Sequence, residues 1–165
     1  MNSWILSFLR KNNILLLGIL LIGCAKSRSG SYVQPIIPEP KSGLQGKIIF
    51  KEGNFNSDGE IAEDGRIYGV QREVIVFELT NLRDVEISEG DFVSYVSTNP
   101  VDTIYSDHHG SFHILDLPDG NYSLFVREND RLYSKLGEGE NFLPIYFKHD
   151  SLSKILIEID YLANY

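Results

Sequence analysis

The stretch 106–113, SDHHGSFH, contains the densest group of side chains in the chain that could bind a metal or transfer a proton. His108, His109 and His113 are three of the four histidines, and Asp107 stands beside them. A zinc site needs three or four ligands about 2.0–2.3 Å from one point. On a strand, residues four apart are separated by about 13 Å. We therefore expect these histidines to be exposed turn and strand residues, not a metal site.

A second candidate is the acidic stretch 54–65, NFNSDGEIAEDG, which partly matches the EF-hand calcium loop. The first loop position is an asparagine where the pattern has aspartate, and Gly65 replaces the bidentate glutamate of the last position. No flanking helices are predicted. A solvated acidic loop is the leading interpretation, and weak calcium binding is the alternative. The candidate calcium ligands are Asn54, Asn56, Asp58, Glu63 and Asp64.

Motifs of common enzyme classes are absent from the sequence. It has no G-x-S-x-G elbow, P-loop or C-x-x-C pair. Ser, His and Asp neighbours on one turn do not form a catalytic relay, which needs a rigid scaffold to order them in space. A net charge of −8 without a basic run argues against nucleic-acid binding. We expect a protein that is not an enzyme and has no cofactor.

The N-terminus has the features of a targeting segment. Arg10 and Lys11 precede the apolar run 14–22, which is too short to span a bilayer core and fits the apolar region of a signal peptide. The run ends in Leu-Ile-Gly-Cys24, which resembles the lipobox of bacterial lipoproteins and holds the only cysteine of the chain. The resemblance implies a signal peptide over 1–23 and acyl chains on Cys24. The alternative is an ordinary signal peptide or a short anchor with an incidental cysteine.

Residues 24–43 predict a lipidated cysteine followed by a flexible linker, because this segment is rich in Ser, Gly and Pro. Two or three acyl chains would anchor the protein firmly in a membrane. Ala25, where inner-membrane lipoproteins often have aspartate, implies an outer-membrane location. We expect the periplasmic face rather than the cell surface.

From residue 44 onward the sequence alternates with a period of two, which is typical of strands. In 122–126, YSLFV, we expect Tyr122, Leu124 and Val126 on the buried face, opposite Ser123 and Phe125. Short strands between Gly, Asn, Asp and Pro turns favour an antiparallel sandwich. The other predicted strands are 45–51, 72–80, 92–97, 101–106, 111–115 and 154–161, and 84–89 is predicted as a brief helical turn.

The stretch 103–126, TIYSDHHGSFHILDLPDGNYSLFV, resembles the carboxypeptidase regulatory-like domain. The resemblance implies an all-β, transthyretin-like Greek-key sandwich of seven or eight antiparallel strands over 44–165. The flanking stretches 44–55, 72–80 and 155–165 are similar to the first two strands and the last strand of that family. The matching positions are Ser106, Asp107, Gly110, Phe112, Leu117, Pro118, Gly120 and Tyr122.

This motif also has a physical interpretation of its own. Asp107 can accept backbone N–H bonds within a turn, and Gly110 can take a positive φ at its end. Phe112 then enters the core. Pro118 and Gly120 predict the next tight turn. Tyr122 would bury its ring and bond its hydroxyl to nearby backbone, as in a tyrosine corner.

These features predict a lipid-anchored, non-catalytic β-sandwich that serves as a binding or structural module at the bacterial cell envelope. The alternative function is a calcium-dependent adhesion or carbohydrate-binding module. The expected partners are the membrane, through the lipid anchor, and an envelope protein or glycan. Exposed aromatic side chains could form a binding patch, whereas burial on both faces of the sandwich is the simpler expectation. The candidates for the patch are Tyr95, Tyr105, Phe125, Tyr133, Tyr146 and Phe147.

Overall fold

The computed structural model describes residues 42–165, which form two stacked β-sheets. The described residues contain no α-helix, only two short 3-10 turns, at Leu82–Asp84 and Glu138–Glu140. The expected all-β sandwich is therefore confirmed. The strands are β1 (Gly43–Asn54), β2 (Arg66–Gly69), β3 (Glu73–Glu78), β4 (Val85–Glu89), β5 (Phe92–Val96), β6 (Pro100–Tyr105), β7 (Ser111–Ile114), β8 (Gly120–Glu128), β9 (Arg131–Tyr133), β10 (Pro144–Phe147) and β11 (Leu152–Asn164).

The smaller sheet, which we call sheet 1, is built around β1. On one side β1 pairs with β11 in parallel register, from Gly43 opposite Leu152 to Asn54 opposite Asn164. On its other side β7 and β2 lie end to end, both antiparallel to β1. The first and last strands of the described chain therefore lie side by side, and β11 forms one edge of the sheet.

The larger sheet, sheet 2, has the strand order β4-β5-β9-β8-β3-β6, with β10 also paired to β8. β10 pairs with the first part of β8 and β9 with its last part, so both flank β8 on the same side. All pairings in this sheet are antiparallel. The structure thus has eleven strands, several of them only three to five residues long, and one parallel pair.

The main hydrophobic core fills the space between the sheets. Strand alternation places Ile155, Ile157, Ile159 and Tyr161 of β11 in this core, as the sequence predicts. The buried side chains of β3 and β8 in sheet 2 face them across the layer, and those of β1 and β7 lie beside them in sheet 1. These include Leu44, Ile48, Val74, Val76, Ile114, Leu124 and Val126.

A second apolar cluster covers the outer face of sheet 2. It joins Ile75, Phe77 and Phe125, whose side chains point away from sheet 1, to Val93 of β5 and to Phe142. Val85 and Val96 of the β4–β5 hairpin also pack against it. β8 is therefore buried on both faces, and the sequence prediction of a half-buried strand was wrong here. Tertiary packing of a hairpin distant in sequence decides this burial, and local alternation carries no information about it.

The predicted helical turn at 84–89 was also wrong. The turn lies earlier, at Leu82–Asp84, where Asn81 and Asp84 form a reciprocal capping box. The strand β4 then begins at Val85 and pairs with β5. This strand, VEISE, is short and its side chains are mostly exposed. The sequence therefore showed neither a clear alternation of apolar residues nor a buried face from which the strand could be predicted. The sequence also missed β2, β9 and β10, which have three or four residues each.

Candidate functional site

The stretch 106–113 forms a tight turn whose centre is Asp107. The Asp107 Oδ1 atom accepts from the backbone N–H groups of His109 and Ser111, each at 2.8 Å. The bond from Ser111 contributes most, and together the two bonds hold the pKa of Asp107 below its usual value. Gly110 has φ +83°, and a Cβ there would lie 2.0 Å from the carbonyl oxygen of Ile48. The predicted roles of Asp107 and Gly110 in the turn are thus confirmed.

After the turn, β7 directs Phe112 into the core, as predicted, and leaves His113 exposed. His108 and His109 are exposed at the turn, with ring centroids 3.9 Å apart. Within residues 42–165, no group of three or more His, Cys, Asp or Glu side chains is close enough to hold a metal ion. The histidines therefore do not converge on a common point in the described structure.

The turn before β8 has the corner that the sequence predicts. The ring of Tyr122 is buried, and its hydroxyl donates to the carbonyl oxygen of Pro118 at 2.8 Å. Leu117 is buried beside it in the main core. The side chain of Asp119 then accepts from the backbone N–H of His149 at 2.9 Å, and its Oδ1 also lies 3.0 Å from the Nδ1 atom of that residue. This corner therefore fixes the entry of β8 and holds the turn that precedes β11.

The acidic stretch 54–65 forms a hairpin connection between β1 and β2. Phe55 pairs with Ile61 across it, and the backbone N–H of Glu60 donates to Asp58 Oδ1 at 3.2 Å. Asn54 lies in β1, opposite Asn164 of β11. Of the candidate calcium ligands, Asn54, Asn56, Asp58, Glu63 and Asp64 are all exposed. Their acidic members do not form a cluster of the kind a metal requires.

The open side of the sandwich has a cleft that the sequence did not indicate. β11 is an edge strand, and three hollows follow one another between it and sheet 2. We call this cleft the β11 groove. The first hollow, about 290 Å³, lies between Ser153–Ile155 of β11 and Pro144–Tyr146 of β10. The second, about 230 Å³, lies between 156–158 and the side chains of Tyr133, Lys135 and Leu143.

The third hollow, about 280 Å³, lies at Tyr161, between β11 and the start of β5. Its walls include Phe92, Asp91 and Arg131, whose guanidinium lies 3.8 Å from the centre of the Phe92 ring. The ring of Tyr161 meets that of Phe92 edge to face, with centroids 5.0 Å apart. This end of the groove therefore combines aromatic surface with groups that donate and accept hydrogen bonds.

One polar network joins the two sheets beside the second hollow. Tyr133, which is buried, donates from its hydroxyl to Asp160 Oδ1 at 2.9 Å. Lys135 Nζ binds the other oxygen of Asp160 at 2.6 Å. Burial raises the pKa of Asp160, but the hydrogen bonds from Lys135 and Tyr133 outweigh it and leave the pKa below its ordinary value. Burial, and then the bond to Asp160, raises the pKa of the Tyr133 hydroxyl, which stays protonated.

A second network closes the end of sheet 2 nearest to Tyr161. Glu128 is only 3% exposed, and it accepts from Nε and Nη2 of Arg72. The Tyr161 hydroxyl donates to Glu128 at 3.1 Å. Buried carboxylates of this kind need such partners, because removal from water is costly. The pair is therefore part of the framework that holds the groove in place.

Sequence reasoning missed the groove because its residues come from distant strands. The only local signal was the charged side of β11, on which Lys154, Glu158 and Asp160 alternate with apolar residues. Of the six aromatic candidates for a surface patch, the structure leaves Tyr95, Tyr105 and Tyr146 exposed and buries Phe125, Tyr133 and Phe147. Of these three exposed rings, Tyr146 alone lines the groove.

In comparisons with known proteins, no family model, no curated protein and no solved structure matches the chain. Across 42–165 the structure contains no helix long and apolar enough to cross a membrane. Cys24 and the predicted signal peptide lie outside the described residues.

Proposed function

We propose that the protein is a lipid-anchored, non-catalytic β-sandwich that binds a partner at the bacterial cell envelope through the β11 groove. The observation that carries the binding role is the row of three hollows along an edge strand, at the open side of the two-sheet domain. Clefts with an apolar floor and a few placed polar groups are typical of binding sites.

The location rests on the N-terminal sequence. Cys24, the only cysteine, follows an apolar run and the small residue Gly23, as in the lipobox of bacterial lipoproteins. Ala25 supports the outer membrane, with the periplasmic face as the proposed side. The resemblance to the carboxypeptidase regulatory-like domain rests on the motif in 103–126 and on the stretches that flank it. In that proposal, the Asp107 turn and the Tyr122 corner are the family's structural motif.

The non-catalytic role is supported by the chemistry of the groove. The titratable groups beside the second hollow are engaged with one another, since Asp160 is bonded by Tyr133 and Lys135. Glu158 is paired with Lys51 at 2.7 Å. A tyrosine hydroxyl with a raised pKa is a poor base near neutral pH. Through these bonds the groups hold the walls of the groove.

The anchor is tested by Cys24→Ser in the native host. The wild-type protein should fractionate with membranes and show acyl chains on an N-terminal Cys24 by mass spectrometry. The Cys24→Ser protein should lack the acyl chains and leave the outer-membrane fraction. Wild-type protein without attached lipid would contradict the anchor and would leave the binding role to be judged separately.

The binding role is tested with photo-crosslinking residues in pairs of equal exposure. Leu156 and Tyr146 line the groove and are 50% and 56% exposed, whereas Ile87 and Tyr95, outside it, are 51% and 57% exposed. In intact cells, a crosslinker at Leu156 or Tyr146 should give a discrete adduct that the matched positions do not give. Equal labelling at all four positions would contradict a binding role for the groove.

A further inference from the structure

The outward edge of β11 is the longest regular strand edge in the described part of the chain. Among residues 42–165, β11 pairs only with β1, and its register is unbroken from Leu152 to Ile159. The other edges of the two sheets have features that discourage strand addition. β2, β7 and β10 have only four residues each, β4 has two register shifts, and β6 begins at a proline. β11 is therefore the edge to which another strand can most readily add.

The direction of the backbone groups determines which residues of β11 can pair outward. The Gly43 N–H of β1 donates to the Ser151 carbonyl at 2.9 Å. Backbone groups of successive strand residues point alternately to the two sides, so the odd-numbered residues of this part of β11 bond to β1 and the even-numbered ones face outward. Asp160 follows this rule, because its backbone N–H lies 3.5 Å from the Tyr133 hydroxyl. Within 153–159, the outward groups are those of Lys154, Leu156 and Glu158.

The sequence of this segment is complementary to itself when two copies run antiparallel. In 154–158, KILIE, a lysine and a glutamate stand two residues on either side of Leu156. Antiparallel pairing about Leu156 sets Lys154 of each copy opposite Glu158 of the other, on the same face of the sheet. This register pairs even-numbered residues with even-numbered ones, which is what the outward backbone groups require. Backbone and charges therefore favour the same register.

The side chains at these positions can make such contacts. Lys154 is exposed and forms no ion pair within residues 42–165. Glu158 accepts from Lys51 at 2.7 Å through Oε2, and no described residue bonds its Oε1. Leu156, at the centre, is 50% exposed. Pairing about Leu156 would therefore form two ion pairs between the copies and bury two leucine side chains against each other.

The neighbouring register that the backbone also permits is less complementary. Pairing about Ile157 would set Leu156 of one copy opposite the charged Glu158 of the other. It would also set Lys154 opposite Asp160, whose carboxylate is already bonded by Tyr133 and Lys135. The charges therefore select the register about Leu156.

We propose that two copies of the chain pair antiparallel through 153–159 of β11, with Leu156 of one copy opposite Leu156 of the other. Sheet 1 then continues from one copy into the next, and the first two hollows lie at the boundary between the copies. This inference rests on the binding role proposed for the β11 groove and names its partner as a second copy of the chain. Pairing of seven residues forms a small interface, so we expect a weak dimer that exchanges.

Cysteine substitutions in the full chain test the pairing. Opposite residues of a hydrogen-bonded antiparallel pair have Cα atoms about 5.5 Å apart, within the range of roughly 4.4–6.8 Å that a disulfide needs. Under a mild oxidant, Leu156→Cys should therefore give a disulfide-linked dimer, identified by linked peptides that both contain position 156. The control Ile87→Cys, at a side chain that is 51% exposed, should give at least about tenfold less dimer.

Mixed copies test the register. Lys154→Cys in one copy and Glu158→Cys in another place the two sulfur atoms opposite each other, so the two variants should cross-link when they are expressed together. Two copies of Lys154→Cys place these atoms four residues apart along the strands, about 13 Å, and should not cross-link. Equal cross-linking of the mixed and the identical copies would overturn the proposed register.

A charge reversal tests the ion pairs. In the Leu156→Cys protein, Lys154→Glu would set like charges opposite each other twice and should lower the yield of dimer at least about fivefold. Arg83→Glu makes the same change of charge in the exposed turn before β4 and should leave the yield unchanged. Equal yields in the two charge variants would contradict pairing between Lys154 and Glu158.

A Leu156→Cys yield no higher than that of Ile87→Cys would overturn the proposal. The photo-crosslinker at Leu156 then separates this failure from failure of the proposed function. An adduct with a different protein, without a disulfide-linked dimer, would exclude the second copy and leave the binding role of the groove intact. The absence of both the adduct and the dimer would remove the binding role as well.

Discussion

The hydroxyl of Tyr133 in sheet 2 donates to the carboxylate of Asp160 in sheet 1 at 2.9 Å, and this bond joins the two sheets at the open side of the sandwich. Tyr133 is 1% exposed, so its hydroxyl has little access to water. Lys135 binds the same carboxylate. The bond therefore both fixes the width of the groove and satisfies a buried polar group.

Tyr133→Phe should lower the free energy of unfolding by about 1.5–3 kcal/mol, because the variant loses a hydrogen bond to a charged group. Urea denaturation followed by fluorescence measures this change. Tyr105→Phe serves as the control, since Tyr105 is 67% exposed, and its effect should stay within about 0.5 kcal/mol. Equal effects of the two substitutions would contradict the structural role of the Tyr133 hydroxyl.

The stability of the domain should fall in acid partly through Asp160. Its pKa is lowered in the folded state, so the folded protein holds this carboxylate ionised more strongly than the unfolded chain does. The stabilisation is present above the unfolded pKa, about 3.9, and is lost as the pH falls toward the folded pKa. Between pH 5 and 3, a window of about two units around that value, the Asp160→Asn variant should therefore lose less stability than the wild type. Parallel pH profiles in urea titrations would refute this assignment.

Two arginine–glutamate pairs should contribute very different amounts to stability. Arg72 pairs with Glu128, which is 3% exposed, whereas Arg127 pairs with Glu73, whose side chain is 22% exposed. Arg72→Ala leaves a buried carboxylate without its partner and should cost roughly 2–4 kcal/mol. Arg127→Ala should cost at most about 1 kcal/mol. Thermal and urea unfolding of both variants compare them directly, and similar losses would show that the burial of Glu128 has little effect.

Alanine substitutions at Gly110 and Gly59 distinguish the cost of a steric clash from the cost of backbone strain. Their φ values are +83° and +84°. A Cβ added to Gly110 would lie 2.0 Å from the Ile48 carbonyl oxygen, whereas a Cβ added to Gly59 would have no atom within 4 Å apart from its chain neighbours. Gly59→Ala should therefore cost only the strain of the left-handed conformation, about 1–2 kcal/mol. Gly110→Ala should cost clearly more or prevent folding, as judged by soluble yield and circular dichroism. A Gly110→Ala protein as stable as Gly59→Ala would disprove the close approach.

The corner at Tyr122 gives a smaller effect. Tyr122→Phe removes the hydroxyl that donates to Pro118 at 2.8 Å but leaves the buried ring. The expected loss is about 0.5–1.5 kcal/mol, with little change of the denaturant slope because the exposed area on unfolding is the same. A large change in that slope would indicate that the hydroxyl organises more of the structure than the corner.

The amino-acid sequence alone determined the strand-rich class of the domain and the local geometry of its best-marked turn. Alternation at period two predicts which side of β11 enters the core, because successive side chains of a strand point to opposite faces. The roles of Asp107, Gly110 and Tyr122 were predictable for a related reason. Each depends on contacts within a few residues or on one backbone conformation.

Only the tertiary structure decided the parallel pairing of β1 with β11, the burial of both faces of β8 and the position of the groove. Each depends on residues far apart in the chain. The alternation in YSLFV is the same whether its second face meets water or the β4–β5 hairpin, so local pattern cannot distinguish the two. Tyr133 and Asp160 are similarly ordinary in sequence, and they become partners because two sheets stack and leave one edge strand open.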